Sequence, residues 1–204
     1  MLDVLLQPTN FFRALSERKP NLVAPFFIIV ASTVAASLGQ VLLVRLLPSF
    51  LPGGLPVQLV FALLGGVVFG MLLWGIGGLI IRLLAGPDSR AWEVYGWASV
   101  PALLVGLVLV PLGALFPITG DLPPLPPATD PEALRAWQRE YQQVVGAASG
   151  TRVLQGLGIV GSLWSLWIIW SGLRVLAPSR ALLATLGVAV VSLAFTLWGI
   201  LGSR

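Results

Sequence analysis

Apolar residues run along this chain in long blocks, and the charged residues fall between them. No Asp, Glu, Lys or Arg occurs in residues 20–44, 46–81, 94–120, 153–173 or 181–203. Each gap exceeds the roughly 18 apolar residues that suggest a transmembrane helix. The pattern predicts five membrane-spanning helices at about 22–47, 58–84, 94–117, 153–176 and 181–201, an all-α polytopic bundle forming a single membrane domain over 1–204. The second gap is trimmed by Pro48, Pro52, Gly53, Gly54 and Pro56, breaker residues that predict a tight exoplasmic loop. Pro178 and Ser179 interrupt the last two blocks only briefly, which predicts an antiparallel hairpin. In the third span Pro101 and Pro111 each remove a backbone donor and are expected to kink the helix.

Two segments lie outside the spans. Residues 1–21 mix Phe11, Phe12 and Leu15 with Arg13, Arg18 and Lys19. They read as a cytoplasmic interfacial segment, with Thr9 or Asn10 capping a helix that carries its aromatics into the headgroups. The stretch 118–152 is an exoplasmic loop with a Pro-rich start, 121–127, expected to be extended. Asp130 then caps a helix with Pro131 at its first position. Leu134, Trp137, Tyr141, Val144 and Val145 share one face of that helix, so an amphipathic surface helix is predicted near 131–145, lying on the membrane or against the bundle.

Composition narrows the chemistry. The chain holds 12 Lys plus Arg, 8 Asp plus Glu, no Cys and no His. Disulfides, thiolate or His-ligated metal centres, and Ser-His-Asp triads are therefore closed. The span interiors carry no ionisable side chain, which argues against proton relays and intramembrane aspartyl proteolysis. No enzymatic activity, cofactor, metal or nucleic-acid partner is expected. Seven Lys or Arg residues fall on the amino-terminal side of the spans against five on the other. That bias predicts a cytoplasmic amino terminus and, after five spans, an exoplasmic carboxyl terminus in a plasma (inner) membrane.

The candidate functional segment joins spans two and three and carries Arg82, Asp88, Arg90, Glu93, Tyr95, Gly96, Trp97 and Pro101. Asp88 and Glu93 either hold a cation or pair with Arg82 and Arg90, and pairing is the simpler expectation without a third carboxylate. Gly66 and Gly70 form a small-xxx-small pair suited to close helix packing, in this chain or with a second copy. Trp164, Trp167 and Trp170 are expected to fill the bundle interior or line a small apolar cavity. Ser32, Thr33, Ser37, Gln40, Ser99, Ser162, Ser165, Ser171, Ser192 and Thr196 are scattered polar positions, too few on any one helix to outline a pore.

Three stretches carry a family likeness: Gln7 to Arg13 (QPTNFFR), Tyr95 to Pro101 (YGWASVP) and Leu163 to Leu173 before the hairpin. With its Gly96, Trp97 and Pro101 element, nearly the whole chain resembles the Yip domain family, of the compact prokaryotic type. The resemblance implies a five-span membrane protein. In eukaryotic relatives it implies binding of prenylated Rab GTPases through a long cytosolic tail, whereas here only about 21 residues precede the first span, so a Rab partner is not expected. The expected role is organisational: binding membrane partners, lipids or copies of itself. The alternative is a small transporter or channel for a neutral or apolar solute.

Overall fold

A computed structural model describes residues 2–44, 54–118, 125–127 and 129–201, with side chains through Ala194 except that of Ser149. The predicted loop around Pro48 to Gly53 and most of the Pro-rich stretch lie outside the described residues. Among those described, the structure is all-helical: α1 (Leu2–Leu6), α2 (Pro8–Ser16), α3 (Val23–Leu43), α4 (Gly54–Ala85), α5 (Ala91–Trp97), α6 (Val100–Leu115), α7 (Pro131–Ala147), α8 (Ser149–Leu176) and α9 (Ala181–Leu201). Four runs are long and apolar enough to cross a membrane: α3, α4, the Pro87–Leu115 run holding α5 and α6, and Gly150–Leu176 in α8. The shorter apolar run Pro178–Ala194 opens α9. This is a polytopic helical bundle, and its helices follow the gaps between charges.

Each boundary has a local cause. Asn21 Oδ1 accepts from the Val23 amide at 2.9 Å and so satisfies a free donor at the start of α3. Gly86, at φ 96°, ends α4 where an L-residue would be strained. The third span is not one kinked helix. It is two helices separated at Ala98 and Ser99, and Pro101 lies in the first turn of α6. Proline is tolerated there because the first-turn N–H groups have no intrahelical partner, so Pro101 opens a helix instead of bending one. Pro111 does lie inside α6.

The spans pack as a ring. Helix α3 lies against α4 and α6, α4 against α9, α9 against α8, and α8 against α6. The main core gathers at the end where α1 and α2 dock, and includes Val4, Phe12, Ile81, Val94, Ile168, Leu173 and Ala184. Here the expectation for residues 1–21 is corrected. Phe12 is fully buried, and its ring lies where a Cβ on Gly172 of α8 would stand. Thr9 and Asn10 sit inside α2 and cap nothing. An amphipathic helix presents the same pattern whether its apolar face meets lipid or protein, and here the missing side chain at Gly172 makes the protein side available.

At the opposite end α7 forms as expected. The Asp130 side chain accepts from the Ala133 amide at 3.0 Å with Pro131 at the first position. Trp137 stacks on Tyr141 with ring centres 5.5 Å apart. Tyr141 and Val145 pack on a small core of Leu43, Val44 and Ile118, so the helix rests against the bundle.

Candidate functional site

The α4–α5 connection is built around Arg90. After Gly86 the chain makes a 3-10 turn, Pro87–Ser89, held by Ser89 Oγ donating to the Gly86 carbonyl at 2.7 Å. Arg90 follows with φ 49° and ψ 40°, the positive φ of a non-glycine residue. That left-handed conformation costs an L-residue about 1–2 kcal/mol. Such strain persists only where the surroundings over-determine it.

The surroundings do so with five contacts. Arg90 Nε donates to Glu93 Oε2 at 2.6 Å, and Nη2 lies 2.6 Å from the same oxygen. Arg90 Nη1 donates to the carbonyls of Leu15, at 2.5 Å, and Arg18, at 3.1 Å. The other carboxylate oxygen, Glu93 Oε1, accepts from the Asn21 amide at 3.4 Å. The Arg90 side chain is 11% exposed and that of Glu93 1%. A buried pair is therefore closed over residues 15–21. Its charges offset each other in a poorly solvated place, while the spare guanidinium donor satisfies backbone carbonyls near the end of α2. The arrangement is a clamp fastening the amino-terminal segment across one end of the bundle.

Aromatic rings and glycines fit around the clamp. Trp97 meets Phe11 edge to face with centroids 4.9 Å apart. Tyr95 lies over Gly77 and Trp92 over Gly78, so the two α4 glycines are seats for α5 rings. Trp74 Nε1 donates to the Trp92 carbonyl at 3.0 Å. Gly96 stands against the Pro25 backbone, whose carbonyl oxygen would be 2.6 Å from any added Cβ.

A family model for the Yip1 domain matches residues 2–201. The chain belongs to the Yip1 domain family. No curated protein and no solved structure matched it.

In this Yip1 domain the candidate residues do not all meet. Arg90, Glu93, Gly96 and Trp97 join the clamp and its support, with Pro101 buried just beyond. Asp88 is exposed on the turn and stands apart from the pair. Arg82 pairs with neither carboxylate, and its guanidinium lies 5.6 Å from the Trp92 ring centre. Glu93 thus points into an ion pair, and the two acids do not converge on a cation. Gly66 and Gly70 pack against α3 of the same chain. A Cβ on Gly66 would meet the Val34 Cα at 2.7 Å, and Thr33 Oγ1 donates to the Gly66 carbonyl at 2.7 Å.

The three α8 tryptophans divide, which corrects the expectation of an interior aromatic stripe. Trp164 is partly buried and donates its indole N–H to the Leu5 carbonyl at 3.1 Å. Trp167 is 41% exposed, and Trp170 packs under Arg174 at 4.7 Å. Three residues advance about 300° around a helix of 3.6 residues per turn, so the three rings do not share one face, and of the three only Trp164 packs against the main core. The Asn21 amide and the Leu15 and Arg18 carbonyls were not legible as site groups, because backbone atoms carry no sequence signal.

A second feature also arises from tertiary structure. Seven of the ten scattered polar positions, Ser32, Thr33, Gln40, Ser99, Ser162, Ser165 and Ser192, line one cavity of about 530 Å³ inside the helix ring. No helix contributes more than three of them, so no single helix looked polar.

Proposed function

We propose that this Yip1-domain protein is a non-enzymatic, multi-pass plasma-membrane protein that organises membrane partners through the end of the bundle closed by Arg90 and Glu93. That end faces the cytoplasm in this reading, in line with the excess of Lys and Arg beside it. The supporting observation is the clamp itself. Glu93 and Arg90 are committed to each other and to the backbone of residues 15–21, which leaves a rigid face bordered by exposed Arg13, Arg18, Lys19, Arg82 and Asp88. A strained residue held by buried charge fixes the shape of a surface.

Photocrosslinking in intact cells tests this reading. A benzophenone amino acid at Asp88 is expected to give an adduct of discrete mass that is lost when Glu93→Ala releases the clamp. An adduct that persists in Glu93→Ala separates partner binding from the clamp and overturns the reading. The central cavity favours a second reading, carriage of a neutral or apolar solute, because no charged side chain lines it. Uptake of such a solute by vesicles holding the purified protein, without any crosslinked partner, decides for carriage.

A further inference from the structure

We propose that the cavity inside the helix ring binds one hydrocarbon chain of a membrane lipid. The site is separate from the clamp, and its case is physical. Along α8 its wall runs from Leu154 to Ile169, a length of about 22 Å at 1.5 Å rise per residue. A volume of about 530 Å³ spread over that length leaves a mean cross-section of about 24 Å², the girth of a single extended chain. A lining that spans most of a helix suits an extended chain better than a compact solute.

The lining selects the same occupant. No Asp, Glu, Lys or Arg contributes to it, so whatever lies inside is uncharged, since an unpaired charge there would lose its hydration. The hydroxyls nearest the clamp are already spent. Ser32 Oγ donates to the Ile29 carbonyl at 2.8 Å, Ser99 Oγ to the Tyr95 carbonyl at 3.1 Å, and Thr33 Oγ1 to the Gly66 carbonyl at 2.7 Å. Hydroxyls bonded back to helix carbonyls present mainly carbon to the space. That part of the wall offers water few partners. In a bilayer, the material at hand to fill a dry slot is a lipid chain.

The route into the slot is also marked. Leu109 and Leu154 line both this cavity and a second apolar one, which continues to Phe116 and Ile118 near α7. The linings of the two cavities together reach from Tyr95, beside the clamp, to the opposite end of the bundle. Gln40 lines the cavity three residues before the end of α3 and offers an amide near that end of the span. The chain lies with its methyl end toward Tyr95 and its polar end toward Gln40.

The test uses the full chain in phosphatidylcholine vesicles whose lipid carries a photoactivatable group on one fatty-acyl chain, with adducts mapped by peptide mass spectrometry. Adducts are expected at the inner wall of α6 and α8, around Ala102 and Ser165, in addition to the outward face of α4. Ala102→Phe fills the slot and is expected to remove the inner adducts while leaving the outer ones. Gly158→Phe fills it independently, since a Cβ at Gly158 has no neighbour within 4 Å, and guards against one variant failing to fold. The outward substitution Leu64→Phe is expected to change nothing. Adducts confined to the outward face, or inner adducts that survive both fillings, overturn the proposal. So does rapid labelling of Ser162→Cys by a membrane-impermeant thiol reagent, which would show a water path and favour solute carriage.

Discussion

The indole N–H of Trp164 donates to the backbone carbonyl of Leu5 at 3.1 Å, a bond across 159 positions of sequence. It ties the first helix of the chain to the middle of α8, while Arg90 ties the following residues to α5. The amino-terminal segment is thus part of the bundle. Trp164→Phe keeps an aromatic side chain but removes the donor and one fused ring, so it is expected to cost about 1–3 kcal/mol. Trp167→Phe, two-fifths exposed on the outward side, is expected to be close to neutral. Thermal unfolding of the two variants in detergent, compared with the parent, checks the difference.

Breaking the clamp should cost more. Glu93→Ala leaves a guanidinium in a poorly solvated place with only carbonyls for company, and a loss of about 3 kcal/mol is expected. The double variant Arg90→Ala/Glu93→Ala removes both charges and is expected to lose less than the sum of the singles. The same melts report stability, and limited proteolysis after Arg13 or Arg18 reports release of the strap.

Backbone strain at Arg90 gives a sharper comparison. Arg90→Gly and Arg90→Ala both delete the guanidinium, but glycine adopts φ 49° freely and alanine does not. Arg90→Gly is expected to be more stable than Arg90→Ala by about 1 kcal/mol. Equal stabilities would mean that the turn relaxes once the side chain is gone.

These features differ in how far they could be read in advance. The spans were legible because lipid tolerates so few charges that gaps between them mark the helices directly, and Asp130 and Pro131 announced α7 with a specific cap. The pairing of Glu93 with an arginine was legible from proximity, but the choice of Arg90 over Arg82 depends on the turn at Gly86. The burial of Phe12 was not legible, since nothing in residues 8–16 says that Gly172 leaves room for a ring. A small apolar cavity beside α8 was legible, but not its wall: none of the three tryptophans expected there lines it, and its polar residues are dispersed over several elements.

Neighbouring glycines in α4 should behave oppositely. A Cβ at Gly66 would meet the Val34 Cα at 2.7 Å and the Thr33 carbonyl oxygen at 3.1 Å, backbone atoms that cannot step aside cheaply. Gly66→Ala is expected to destabilise by about 1–3 kcal/mol through overpacking. A Cβ at Gly65 meets nothing within 4 Å. Gly65→Ala is therefore expected to be neutral or to gain up to about 1 kcal/mol from helix propensity. If both alanines are equally harmful, α4 makes an additional contact on its Gly65 face, and the natural candidate is a second copy of the chain.

Sidedness can be read with single cysteines, because the chain has none of its own. Ser89 is a poor probe position, being 1% exposed beneath its turn, whereas Asp88 on the same turn is exposed. Ser16 on α2, Asp88, and Ser179 in the α8–α9 turn belong to one end of the bundle, and Gln138 on α7 belongs to the other. In whole cells treated with an impermeant thiol reagent, Gln138→Cys is expected to label and the other three to stay protected until the membrane is opened. The opposite pattern would turn the clamp to the outside. It would leave the helix ring and its cavity untouched, but it would remove cytosolic proteins as partners of the Arg90–Glu93 end.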